Sequence, residues 1–120
     1  MYGLSDKTIS ALKSVFMRYP QIDQAIIYGS RARGDNCRGS DIDITLKGEG
    51  LTLQTLPKLD CDIDDLLLPY LLDINVFDKL NNPLLIEIIL RDGKVLYQSK
   101  NDKLKFRSIY KGGTKGTISL

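Results

Sequence analysis

The 120 residues carry 17 Lys+Arg against 15 Asp+Glu, a net charge of +2, and are 42% hydrophobic and 27% charged, the make-up of one globular domain with a single core. No apolar run approaches the roughly 18 residues that span a bilayer, and residues 1–12 lack the basic-then-apolar layout of a signal peptide, so a soluble cytoplasmic protein without accessory domains is expected. There is no histidine, which excludes Ser-His-Asp triads, Cys-His proteases and His-ligated zinc, and leaves chemistry to carboxylates, hydroxyls, Lys, Arg, backbone amides and hard metal ions.

In chain order, Ser5 is placed to cap a helix, and Ile9, Leu12, Val15, Phe16 and Tyr19 then recur at helical spacing up to Pro20. Gln24 to Tyr28 (QAIIY) reads as a short buried strand ending at Gly29. Ser30 to Gly34 is expected to open a short helix. Asp41 to Lys47 (DIDITLK) alternates polar and apolar and reads as a second strand. Leu51 to Leu68 reads as mostly helix around Pro57, with Asp60, Asp62, Asp64 and Asp65 forming a solvated face. Leu71 to Phe77 is a third strand, Pro83 opens a helix through Arg91, and Lys94 to Gln98 closes the sheet at an edge. Alternating helices and strands predict an α/β (α+β) domain over residues 1–98: a small mixed sheet flanked by helices. The body to residue 98 holds 11 basic and 14 acidic side chains, whereas residues 99–120 hold six basic and one acidic. The latter read as a basic, extended tail, a solvated chain end in preference to an RNA-binding or partner-binding arm. Cys37 and Cys61 form no pair motif and read as reduced thiols.

The chemistry lies in Tyr28 to Ile44, YGSRARGDNCRGSDIDI. Gly29 lets the chain turn sharply after an apolar strand, Ser30 adds a hydroxyl beside newly freed amides, and Arg31 and Arg33 add cationic forks. Together they predict an anion site. The spacing of Gly29 and Gly34 suits a phosphate loop, but Asp35-Asn36 stand where Lys-Ser/Thr is needed, and no GxGxxG occurs. Asp41 and Asp43 fall on one strand face about 7 Å apart, with Ile42 and Ile44 on the other. Asp73 and Asn75 sit on the polar face of the third strand, so pairing of the two strands about 4.8 Å apart would bring three carboxylates together. Two like charges about 5 Å apart at an effective dielectric of about 20 repel by roughly 3 kcal/mol. Such a cluster calls for Mg²⁺ or Mn²⁺, with phosphate oxygens to share them. A lone DxD is ordinarily a solvent face. Its combination with the Gly-Ser turn and a third carboxylate is what argues for a site.

Gly29-Ser30, ten intervening residues, then Asp41-x-Asp43 resembles the signature of the DNA polymerase β nucleotidyltransferase superfamily. The GSRARG and GSDIDI wording, DDLLLPYLLDINVF, NNPLLIEII and DGKVLY resemble its smallest branch, the minimal nucleotidyltransferases, over about residues 9 to 98. That resemblance implies a polymerase β palm-like fold with ATP over the Gly29-Ser30 turn, aided by Arg31 and Arg33. It implies two Mg²⁺ on Asp41 and Asp43, and Asp73 both binding the catalytic metal and taking the acceptor's proton. AMP would pass from ATP to a hydroxyl, in this branch a tyrosine of a HEPN-domain ribonuclease toxin that the nucleotidyltransferase antitoxin neutralises. The alternative is a non-catalytic antitoxin that neutralises its HEPN partner by contact. Transfer to a small hydroxyl compound such as an aminoglycoside ranks third, because no residues remain for the second domain such enzymes carry. Neither membrane nor direct nucleic-acid binding is expected, and the basic tail departs from the family pattern.

Overall fold

The computed structural model describes residues 2–34 and 41–99. Helix α1 (Asp6–Phe16) starts where expected, because Ser5 Oγ accepts a 3.1 Å bond from the Thr8 amide and Asp6 places negative charge in the first turn. Its apolar stripe sends Leu12, Val15 and Phe16 fully out of solvent. Strand β1 (Gln24–Tyr28) leads into a one-turn helix α2 (Ser30–Arg33). It is followed by β2 (Ile42–Lys47), α3 (Thr55–Asp64), β3 (Leu72–Val76), a 3₁₀ turn at Phe77–Lys79, α4 (Pro83–Asp92) and β4 (Lys94–Gln98).

The four strands form one mixed sheet in the order β3-β2-β1-β4. β1 is antiparallel to both β2 and β4, while β2 and β3 run parallel and are joined through α3. A parallel pair needs such a crossover, and a helix supplies it here. The sheet separates two apolar layers. Ala25, Ile27, Ile42, Ile44, Leu46 and Leu96 pack with α1 and α3 residues into the main core, and each fully buried aliphatic side chain contributes roughly 1.5–3 kcal/mol. Across the sheet, Ile26 and Tyr28 pack with Ile89 of α4 and with Phe77, Leu80 and Leu85.

Helix α4 opens with Pro83 at its first turn, and Asn82 Oδ1 accepts from the Leu84 and Leu85 amides at 3.1 and 3.3 Å. The expected long helix from Leu51 to Leu68 is shorter: Leu51 is buried in the loop ahead of α3, and Leu67 ends the segment at a φ of +55°. The expected solvated face of α3 is also corrected in part, because Asp62 Oδ2 accepts a 2.5 Å bond from the Tyr19 hydroxyl. That contact and burial push the Tyr19 pKa up to about 12, burial first. Among the described residues no helix is long and apolar enough to cross a membrane. Cys61 is an exposed free thiol. Cys37 and the basic tail beyond Ser99 lie outside the described residues.

Candidate active site

The polar face of the sheet is built by register. Tyr28 of β1 stands opposite Asp43 of β2, which stands opposite Asp73 of β3, so three side chains form one row across the C-terminal end of β1. The next row along the same face is Ile26, Thr45 and Asn75. Alternation puts Ile42 and Ile44 fully into the main core, which leaves Asp43 with no choice but the other face. The expectation that Asp73 adjoins the acidic strand is met in this pairing. Asp41 lies one residue ahead of β2 and is exposed, as is Asp73, whereas Asp43 is half-buried.

The acids act on one another. Burial raises the Asp43 pKa above the ordinary carboxylate value, and the charges of Asp73 and Asp41 raise it further. Asp60 of α3 is raised by burial and then by Asp64 and Asp73, so the acidic field reaches past the row. The expected convergence of three carboxylates is looser than anticipated: among the described residues no three acidic, cysteine or histidine side chains stand close enough to hold one metal ion. Asp43 and Asp73, directly paired, still fit a hard divalent ion of the kind that one or two carboxylates share with substrate phosphates.

The Gly-Ser turn is locked to this pair. Gly29 has a φ of +79°, where side-chain-bearing residues are strained, and a Cβ added there would lie 2.8 Å from Asp43 Oδ2. Glycine thus permits both the turn and the close seating of the carboxylate. Ser30 opens α2, whose last turn closes through the Gly34 amide on the Ser30 carbonyl at 2.9 Å. The two arginines part company. Arg31 is 2% exposed, donates to the Tyr2 carbonyl at 3.0 Å and stacks over the Tyr70 ring at 4.9 Å. Arg33 is exposed, with its Nη1 3.9 Å from Asp92 Oδ2 at the end of α4.

Three residues that the sequence reading did not place in the site line it. The Asn75 amide donates to the Tyr28 hydroxyl at 2.8 Å, while Thr45 Oγ1 and Asn75 Oδ1 are buried without a hydrogen-bond partner among the described residues. Burial raises the Tyr28 pKa, with Asp43 and Asp73 adding to the rise and the Asn75 bond opposing it. The sequence places Asn75 on the polar face beside Asp73 without giving it a role, and the same period-two alternation carries the face from Asp43 one step further to Thr45.

The family model described as polymerase beta, nucleotidyltransferase matches residues 10–102. No curated protein matches in sequence. Among solved structures, one of a toxin-antitoxin with AMP-PNP is similar at 22% identity and a TM-score of 0.61, covering 86% of this chain and 81% of that one. A MntA-HepT toxin-antitoxin structure is similar at 16% identity and a TM-score of 0.60, covering 85% and 80%. The tri-AMPylated Shewanella oneidensis HEPN toxin in complex with its MNT antitoxin is similar at 16% identity and a TM-score of 0.60, covering 86% and 80%. At these identities the likeness is one of fold.

Proposed function

The chain belongs to the polymerase beta nucleotidyltransferase family, and from that premise we propose that it transfers AMP from ATP to a hydroxyl acceptor, a tyrosine of a HEPN-domain partner. The observation that carries the reading is the register of Asp43 against Asp73 beside the Gly29 turn. The partner class rests on the similar structures, which are of toxin-antitoxin proteins, one with AMP-PNP and one with a tri-AMPylated HEPN toxin.

In this reading Gly29 and Ser30 seat the triphosphate, Arg33 offers its charge from the rim, and buried Arg31 acts by holding the turn against Tyr2 and Tyr70. Asp41 and Asp43 would hold Mg²⁺ or Mn²⁺, with Asp73 sharing the ion nearest the acceptor. Such ions supply neutralisation of the charge that develops on the phosphoryl oxygens. Asp73 accepts the proton of the acceptor hydroxyl as its oxygen bonds to the α-phosphorus; the bond from that phosphorus to the bridging oxygen breaks, and pyrophosphate leaves. Alignment of the three parts is most of what the protein has to provide.

Asp41→Asn with Asp43→Asn tests this directly. Labelled AMP reaching the co-purified partner should fall by about a hundredfold or more, while partner binding persists. The contact-only antitoxin is the second reading, favoured by the similarity to a structure in which a HEPN toxin is held in complex with an MNT antitoxin. A wild-type chain that binds and silences the partner but transfers no label decides for that reading.

A further inference from the structure

We infer that the outer edge of β3 receives the acceptor as an added strand. The occupant is an extended segment of the partner, cationic and apolar, that sets its hydroxyl-bearing residue opposite Asp73. β3 ends the sheet, and among the described residues no strand pairs with its far side. The Ile42 amide donates to the Leu71 carbonyl at 2.9 Å, and in a parallel ladder that bond assigns alternate residues to the two sides. Asp73 and Asn75 follow Leu71 toward β2, while Leu72 and Ile74 turn their peptide N–H and C=O groups outward. Natural edges are commonly guarded by lysine or proline. β4, at the other edge, carries Lys94, whereas β3 (LDINV) has neither, and its one charge, Asp73, belongs to the site. Such an edge is a template for an extended peptide.

Register fixes what each side chain of the added strand meets. A residue opposite Asp73 extends the row of Tyr28, Asp43 and Asp73 by one strand spacing, about 4.8 Å. Its hydroxyl then lies beside the carboxylate assigned the acceptor's proton. The residues before and after it fall on the other face, level with Leu72 and Ile74, which pack on the main core. On that face a groove of about 280 Å³ opens between β3 and α3, lined by buried Ile63, by Leu68, Leu71 and Leu72, and by the exposed carboxylates of Asp60 and Asp64. No lysine or arginine lines it among the described residues. Apolar walls under an acidic rim suit flanking residues that are apolar and cationic, and charge complementarity sets the class of partner segment. The groove is continuous with the site, since Leu72 adjoins Asp73 in the chain and the Asp73 charge reaches Asp60 after burial and Asp64 have acted on it.

The inference rests on the transferase reading and specifies its acceptor. Its test uses the full chain, the co-purified partner and two nine-residue peptides with a central tyrosine, one flanked by leucine and lysine, the other by leucine and glutamate. Amide hydrogen exchange should slow at Leu72 and Ile74 when the partner or the lysine peptide binds, and should not change along β4. Asp60→Lys with Asp64→Lys, both at exposed positions, should raise the KM of AMP transfer to the lysine peptide about tenfold while kcat holds, and lower it for the glutamate peptide. A general loss of structure would move both constants for both peptides. If the partner is labelled but β3 gains no protection, or if the charge reversal leaves both KM values unchanged, strand addition is refuted while the transferase reading stands. Protection of Leu72 and Ile74 already in the free chain, abolished by dilution or by removal of residues 100–120, gives the edge to a second copy or to the chain's own segment and also refutes it. A wild-type chain that labels neither partner nor peptide refutes both readings.

Discussion

Asp43 sits where folding and chemistry make opposite demands. Its pKa is raised by burial first, then by Asp73 and Asp41, so the folded chain holds this proton more tightly than the unfolded one. The sign follows: stability is unpenalised below the ordinary aspartate value, falls as pH rises through the window between that value and the raised one, and stays reduced above it. Asp43→Asn should remove this loss. In metal-free protein, the melting temperature of the wild type should drop relative to the variant as pH rises from the aspartate range to neutrality, and added Mg²⁺ should restore the wild type alone. Parallel melting curves against pH would show that the acids do not oppose one another. Arg31 teaches the converse lesson. As a cation beside a Gly-Ser turn it reads as a phosphate ligand, yet its guanidinium is enclosed against Tyr2 and Tyr70, partners 29 and 39 positions away in the chain that local spacing cannot announce.

At the scale of elements, much of the architecture was legible because each strand carries its own period. QAIIY and KVLYQ were read with the boundaries that the structure gives, and DIDITLK and LLDINVF within one residue at each end. Ends set by local chemistry were legible as well, as at Ser5 and at Asn82-Pro83. Helix α3 was overextended because its apolar residues continue into both flanks. Pro57 held the missing information: a proline is tolerated within the first helical turn, where amides lack partners, so the helix had to begin close before it, as it does at Thr55. What no period could show is the pairing of β2 with β3 or the seating of Asp43 over Gly29, both long-range outcomes. The N-terminus of α4 offers a clean test of local capping. Asn82→Ala leaves the Leu84 and Leu85 amides without their acceptor and should cost about 1 kcal/mol of stability, read by denaturant titration. An unchanged midpoint would mean that water replaces the cap at no cost.

For the whole molecule, charge is divided unevenly along the chain. The body to residue 98 carries −3 and residues 99–120 carry +5, while β4 closes the sheet at Gln98 and the Ser99 amide is tied to the Asp23 carbonyl at 2.8 Å. Among the described residues the buried cluster runs from Leu4 to Leu96, and the last strand ends at Gln98. A chain ended after Ser99 is expected to melt within a few degrees of the full chain. Association with a partner should respond differently. Removing five net positive charges turns a weakly basic protein into an acidic one, and attraction between exposed charges is screened over about 10 Å at 0.1 M salt. The truncated chain should thus bind an acidic partner surface more slowly at low ionic strength, with the two chains converging as salt is raised. Association rates measured for both across a salt series decide the matter: equal rates at low salt would leave the basic segment without an electrostatic part in recognition.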